Sequence, residues 1–174
     1  IDFAIVRCGY GEDMTSQDDR YWKANADACT RLGIPFGVYI YSYAETDAQA
    51  RSEAEHVLRL VEGYEISLPI YLDLEEEKLL GKCTKEDFLR HAQIFCDMIE
   101  EAGYQAGVYA NYNWWTNYLT DPAYDQWSRW IARYASATGY HKDYDMWQYS
   151  STGSVPGISG NVDLNIGFFT KDSI

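Results

Sequence analysis

Short apolar runs of strand length recur along the chain, and glycine, proline or polar residues close each of them. This pattern is typical of buried β-strands. Four of these runs lie in the first two thirds of the chain, at 3–8, 34–44, 67–75 and 105–111. Three more occupy the last third, at 128–135, 144–151 and 161–169. The sequence therefore predicts seven strands.

Helical periodicity separates the earlier strands but not the later ones. It extends from about Gln17 to Leu32 and from Glu45 to Glu62, and a third helix is predicted to begin at Thr84, with Asp87 following as in a capping box. The last three strands are joined by Gly-, Ser-, Thr- and Pro-rich links that are too short for full helices. This order predicts an α/β protein with four βα units followed by three strands, wound as a barrel or as a doubly wound sheet.

A barrel is the better interpretation of this order. The segment "GYGED" (9–13), which follows the first strand, matches neither GxGxxG nor GxxxxGK[ST], the phosphate-binding patterns of nucleotide-binding sheets. A closed (β/α)8 barrel normally has eight strands and at least about 200 residues. Because this chain has 174 residues and seven predicted strands, we expect a barrel that lacks its first strand. Its two unpaired edges would favour self-association.

The composition predicts a single domain over residues 1–174, because 47% hydrophobic and 24% charged residues suit one compact core. The chain has 27 acidic and 14 basic residues and a formal net charge of −13, which disfavours nucleic acid as a partner. No apolar run reaches the ~18 residues of a membrane span, so no membrane insertion is expected.

Cysteine and histidine spacing gives no sign of a metal site. The cysteines lack CxxC and metal-type Cys/His patterns, and they are Cys8, Cys29, Cys83 and Cys96. Buried free thiols are the preferred interpretation, and a disulfide remains an alternative. The sequence predicts neither a structural metal nor a cofactor.

Two acidic residues, Asp73 and Glu75, end the third predicted strand. Alternate side chains of a strand point to the same face, so these two carboxylates are expected to be co-directed. In α/β barrels the reactive groups gather at the C-terminal ends of the strands. Repulsion in a partly desolvated site would raise the pKa of at least one carboxyl group, so that one donates a proton while the other stays ionised. Glycosidic bond cleavage requires such a pair.

A solvated acidic turn is the simpler interpretation of the whole acidic run. It is preferred for Glu76 and Glu77, which follow the strand. For Asp73 and Glu75 a functional role is preferred, because burial of a carboxylate in an apolar strand is costly. A metal site built on this pair is a lesser alternative, since no histidine lies near a strand end.

Aromatic residues on the predicted strands suit a sugar-binding cleft. Tyr39, Tyr41 and Tyr43 alternate along the second strand and share one face, and Trp130 lies in the fifth. Aromatic rings can grip a sugar or simply fill the barrel, and packing is the commoner role for Trp130.

Two polar residues lie inside late strands. Gln148, within an aromatic strand, needs a hydrogen-bond partner. Asp163 either pairs with backbone donors or Arg7, or adds a third inward carboxylate to an acidic cleft, and the cleft is preferred.

Several segments, in order along nearly the whole chain, resemble the glycoside hydrolase family 25 lysozymes, the Chalaropsis-type N-acetylmuramidases. They include "FAIVRCGYG", "PIYLDLEEE", "RWIARY" and "WQYSSTGSVPGISGNVDLN". The resemblance implies an irregular TIM-like (β/α)5(β)3 barrel. It also implies a secreted or cell-wall-associated lysozyme that cleaves the β-1,4 bond between N-acetylmuramic acid and N-acetylglucosamine in bacterial peptidoglycan.

The same resemblance implies roles for single residues. Glu75 corresponds to the general acid, Asp73 to the carboxylate that orients and stabilises the 2-acetamido group of the substrate, and Asp163 to the late strand acid. Residues at expected sugar-contacting positions are Tyr39, Tyr41, Tyr109, Trp130 and Gln148.

The chain departs from this family at its start. The family's first strand carries a "GIDVS"-type segment whose Asp completes the acidic cleft, and Ile1 and Asp2 do not match it. One strand and one carboxylate are therefore expected to be missing. Two other functions stay open, namely a non-catalytic module that binds wall glycan and a chitinase-like glycosidase.

Overall fold

The computed structural model describes residues 1–170 and contains one sheet of seven strands, which follow one another in sequence order. All seven predicted strands are present. Their bounds are β1 (Ala4–Tyr10), β2 (Phe36–Tyr41), β3 (Ile70–Asp73), β4 (Ala106–Asn111), β5 (Ser128–Ala132), β6 (Met146–Gly153) and β7 (Val162–Gly167).

Helices follow the first four strands. They are α1 (Trp22–Leu32), α2 (Asp47–Val61), α3 (Lys85–Glu101) and the short α4 (Tyr112–Asn117). The predicted capping box is confirmed at α3, where the Thr84 hydroxyl accepts the Asp87 N–H and the Asp87 carboxylate accepts the Thr84 N–H. Three 3₁₀ turns lie at Thr15–Gln17, Glu77–Gly81 and Pro122–Gln126.

The prediction that the first helix begins near Gln17 is wrong, since α1 begins at Trp22. Hydrogen bonds of Asp19 hold the preceding segment in another conformation. Its N–H donates to the Cys8 carbonyl at 2.8 Å, and its carboxylate accepts the Arg7 guanidinium at 2.7 Å. These contacts with β1 replace the first helical turn.

The sheet curls into an incomplete barrel. Strands β1 to β6 are parallel, and β7 pairs with β6 in the antiparallel direction. Within residues 1–170 no ladder joins β1 to β7. The edges still approach each other, because the rings of Phe3 and Phe169 pack edge to face with centroids 6.0 Å apart. The predicted irregular α/β barrel of seven strands is thus confirmed, and self-association through its edges stays a prediction.

Strand alternation separates two layers of buried side chains. Aliphatic residues face the helices, among them Val6, Val38, Ile40, Ile70, Leu72, Val108 and Ile131. The inner layer is more aromatic and consists of Tyr71, Tyr109, Trp130, Ala132 and Met146. The inside of the curl therefore combines packed rings with polar tips. All four cysteines are free and buried.

Helix α2 fixes the two loops that follow β1 and β2. Glu53 is buried, and its carboxylate accepts the Ser42 hydroxyl at 2.8 Å and the Tyr43 N–H at 2.7 Å. Nearer the end of the same helix, the Nδ1–H of buried His56 donates to the Gly11 carbonyl at 2.9 Å. One helix thus holds the C-terminal ends of two neighbouring strands.

Glu53→Gln is expected to stabilise the fold at neutral pH. Burial raises the pKa of Glu53 from 4.5 to about 7, so the native state keeps a proton that the unfolded chain releases. Stability therefore falls as the pH rises from about 4.5 to about 7, by at most roughly 3 kcal/mol. Glutamine can accept from Tyr43 and donate to Ser42 without a charge. Thermal unfolding across this pH range should show an advantage of the variant that grows with pH, and an advantage independent of pH would contradict the assignment.

Candidate active site

A cavity of about 490 Å³ lies inside the curl of the sheet, and we call it the acidic cleft. Both edge strands border it, since residues 1–5 and 162–165 lie on its wall. The three predicted catalytic carboxylates line it, namely Asp73, Glu75 and Asp163. Four of the predicted sugar-binding residues line it as well: Tyr39, Tyr109, Trp130 and Gln148.

Tyr41 lies beside the acidic cleft rather than on its wall. It pairs with Asp73 across β2 and β3, and its hydroxyl donates to the Glu76 carboxylate at 3.2 Å. Glu76 also accepts the Lys78 N–H at the start of a 3₁₀ turn, so it supports the loop. Glu77 is exposed.

Asp73 and Glu75 point into the cleft because the strand geometry continues one residue beyond β3. The N–H of Leu74 still donates to the Tyr109 carbonyl at 2.9 Å, and the Leu74 side chain packs in the core on the helix side. Alternation then directs Asp73 and Glu75 to the opposite side, where both line the cavity.

Burial raises the pKa of both carboxyl groups. Asp73 is 2% exposed, and its pKa lies well above the ordinary value because of burial and repulsion from Glu75, against a small opposing effect of Arg7. The pKa of Glu75 is raised by burial, lowered by its interaction with Asp73, and raised again by Asp163 and Glu76. The pair therefore retains a proton at a pH where isolated carboxyl groups would be ionised. One oxygen of Asp73, Oδ1, is buried without a hydrogen-bond partner among residues 1–170.

Asp163 reaches the cleft from β7 and is exposed. Partial burial raises its pKa. The guanidinium of Arg7 pairs with Asp19 at 2.7 Å and not with Asp163, so the ion-pair alternative for Asp163 is not observed. The negative charge of Asp163 instead contributes to the raised pKa of Glu75.

Trp130 forms the centre of the inner aromatic layer. Its ring lies 5.9 Å from Tyr39, 5.1 Å from Tyr71 and 4.5 Å from Tyr109, between ring centroids. Its indole N–H donates to the side-chain oxygen Oδ1 of Asn165 at 2.8 Å. Only 4% of Trp130 is exposed, so packing is its main role and it supplies the floor of the cleft.

Gln148 finds the partners that its buried position requires. Its Oε1 accepts the Tyr109 hydroxyl at 3.0 Å and the Tyr134 hydroxyl at 2.7 Å. These two bonds determine the orientation of the carboxamide. Gln148 also lines the acidic cleft, where its amide N–H groups can serve as donors to a ligand.

Sequence reasoning missed two polar residues that support the cleft. Asn165 lines it and holds Trp130, and Tyr134 holds Gln148. Alternation along β7 could have predicted that Asn165 lines the cleft, because it stands two residues after Asp163 and shares its face of the strand. Tyr134 lies beyond the end of β5, and no local pattern indicates its contact with β6.

Neither a metal cluster nor a membrane helix is found in residues 1–170. No group of three or more His, Cys, Asp or Glu side chains there has a metal-binding arrangement. No helix in the same range has the length and hydropathy to cross a membrane.

Comparison with known proteins places these features in one family. The sequence profile described as glycosyl hydrolases family 25 matches residues 1–158. An autolytic lysozyme of Clostridium acetobutylicum is 31% identical over 155 residues, which are 88% of this chain and 45% of that protein. The chain thus spans about half the length of this relative.

Solved structures show the same relationship. The modular autolysin LytC from Streptococcus pneumoniae has a TM-score of 0.84 and 30% identity, over 95% of this chain and 40% of that chain. A second LytC structure, a complex with a synthetic peptidoglycan ligand, has a TM-score of 0.84 and 29% identity. The catalytic domain of endolysin ply40 from bacteriophage P40 of Listeria monocytogenes has a TM-score of 0.79 and 27% identity, over 99% of this chain and 84% of that chain. The protein described here belongs to glycosyl hydrolases family 25.

Proposed function

We propose that this chain is the catalytic domain of a lysozyme that hydrolyses the β-1,4 bond between N-acetylmuramic acid and N-acetylglucosamine in bacterial peptidoglycan. The observation that carries the proposal is the Asp73–Glu75 pair, which lines the acidic cleft and has raised pKa values. A glycosidase needs such a retained proton for the leaving oxygen.

Glu75 is the proposed general acid because it is only partly buried and can reach a bound substrate. Its proton passes to the glycosidic oxygen as the bond between that oxygen and the anomeric carbon breaks. Asp73 also lines the cleft but is only 2% exposed, so it is the proposed partner of the 2-acetamido group, whose N–H its carboxylate can accept. The acetamido oxygen, so oriented, attacks the anomeric carbon. Water then attacks that carbon, the bond between the carbon and the acetamido oxygen breaks, and the water gives a proton back to Glu75.

Several features support peptidoglycan as the substrate. A structure of the related LytC is a complex with a synthetic peptidoglycan ligand, and the related Clostridium protein is an autolytic lysozyme. The cleft combines aromatic rings with the amide of Gln148, a suitable surface for N-acetylated sugars. Such a substrate lies outside the cytoplasmic membrane, so we propose that the enzyme acts as a secreted or wall-associated protein.

Incubation with purified bacterial walls separates an enzyme from a glycan-binding module. We expect the wall suspension to clear and new reducing ends to form. A protein that sediments with walls but releases no reducing ends would be a binding module. Release of products from chitin oligomers, with peptidoglycan left intact, would instead indicate a chitinase-like enzyme.

A further inference from the structure

A second cavity, of about 480 Å³, lies between the loops that follow β1 and β2. We call it the loop pocket, and among the described residues it shares no lining residue with the acidic cleft. We propose that the loop pocket is an additional subsite, which binds an uncharged N-acetylated sugar ring of the same wall glycan. This inference rests on the proposed function.

Two exposed tyrosine rings line the loop pocket. Tyr10 is 40% and Tyr43 46% exposed, although both carry large apolar faces. The rings stand nearly perpendicular, at 78°, with centroids 6.0 Å apart. Aromatic faces pack against the C–H face of a sugar ring, and the phenol hydroxyl remains available for hydrogen bonding. The two rings thus offer a corner into which a sugar ring can fit.

A line of tyrosine rings connects the loop pocket with the acidic residues. The Tyr43 ring lies 5.0 Å from the Tyr41 ring, between centroids. Tyr41 in turn pairs with Asp73 across neighbouring strands, and its hydroxyl contacts Glu76. A glycan strand held in the acidic cleft can therefore continue over Tyr41 towards the loop pocket.

The polar groups of the loop pocket suit a neutral ligand. The Gln17 carboxamide lines the loop pocket and lies directly against Gly11, where an added Cβ would overlap its oxygen. Gln49 accepts the Glu45 N–H with its oxygen, which leaves the amide N–H groups available. Amides of this kind match sugar hydroxyl and acetamido groups. The charged residues among the described lining residues are the acids Glu12 and Glu53, with no Lys or Arg, so an anionic ligand is disfavoured.

Helix α2 holds the walls of the loop pocket in place. Glu53 holds the Tyr43 loop, and His56 holds the Gly11 loop, both from helix α2. Ser52 adds a third anchor, because its hydroxyl accepts the Asp13 N–H at 2.9 Å. Rigid walls lower the ordering cost of binding.

Calorimetric titration with peptide-free peptidoglycan glycan strands tests the proposal. The titrated protein carries Glu75→Gln, which prevents hydrolysis, and Tyr10→Ala is added to it. Loss of a stacking ring should weaken binding by about tenfold. Tyr21→Ala is the matched control, because Tyr21 is 55% exposed and lies outside both cavities. We expect the control to bind as the parent does.

The outcomes distinguish the subsite from the proposed function. Unchanged affinity in Tyr10→Ala, an equal loss in Tyr21→Ala, or no detectable binding would overturn the subsite, even if the wild-type chain clears walls. A Tyr10 effect seen only with strands that carry peptide stems would overturn it too, because the ligand would then be a peptide. Weaker binding of Tyr10→Ala alongside an inactive wild-type chain would support the subsite and reject the hydrolase.

Discussion

Glu75→Gln is expected to lower the rate of peptidoglycan hydrolysis by a factor of about 10² to 10⁴, the usual contribution of a general acid. Glutamine has nearly the same shape but no proton to give to the glycosidic oxygen. Burial raises the pKa of Glu75 in the native cleft, which keeps that proton available above the ordinary carboxyl pKa of 4.5. The measurement is the initial rate of reducing-end formation from purified walls at equal protein concentration.

Glu77→Gln provides the matched control for this result. Glu77 stands two residues after Glu75 in the same acidic run, is exposed and does not line the acidic cleft. Its replacement makes the same carboxyl-to-amide change in the same acidic run and should leave the rate within about twofold of wild type. Equal losses in the two variants would mean that the charge of the loop matters and that Glu75 is not the acid.

Asp73→Asn is expected to lower the rate by about 10² to 10³, as is typical when a group that stabilises the transition state is lost. The pair retains one proton, which must lie on Glu75 when the glycosidic bond breaks. Asparagine keeps an oxygen but cannot carry the negative charge that Asp73 then has beside the attacking acetamido group. The same change should stabilise the fold at neutral pH. Asp73 is a fully buried carboxyl group whose oxygen Oδ1 has no hydrogen-bond partner within residues 1–170.

The pH dependence gives the sign of this stability effect. The pKa of Asp73 in the native state is raised well above 3.8, so the folded protein keeps a proton that the unfolded chain releases. Wild-type stability then falls as the pH rises from 3.8 towards the native pKa, and Asp73→Asn removes this loss. Thermal unfolding should show similar stability of wild type and variant near pH 3.8. Above that pH, the variant should become increasingly more stable than wild type. A variant that is less stable than wild type at neutral pH would show that the carboxylate is favourably bound.

The strands and the acidic pair were predictable because their signals are local. Apolar runs closed by glycine, proline or polar residues indicated all seven strands. Alternation in "YLDLE" directed Asp73 and Glu75 to one face, and both line the cleft. The capping box at Thr84 and Asp87 is equally local. Where strand alternation or a helix cap determines the position of a side chain, the sequence was sufficient to predict that position.

Contacts between distant residues explain what was not predictable. Asp18 and Asp19 lie outside α1 because their carboxylates bind His56, Arg59 and Arg7, which come from other elements. Tyr43 continues the alternation of Tyr39 and Tyr41 in the sequence, yet β2 ends at Tyr41. Beyond the strand, the buried Glu53 carboxylate on α2 accepts the Tyr43 N–H and so determines the path of this loop.

Identification of the new reducing end shows which glycosidic bond the enzyme cleaves. Purified peptidoglycan is digested with the wild-type chain, reduced with borohydride, hydrolysed, and analysed for amino sugar alcohols. If Glu75 cleaves the proposed bond, muramicitol will appear with wild type and with Glu77→Gln, and Glu75→Gln will not release it. Glucosaminitol as the product, or a digest without any reduced amino sugar, would contradict the account.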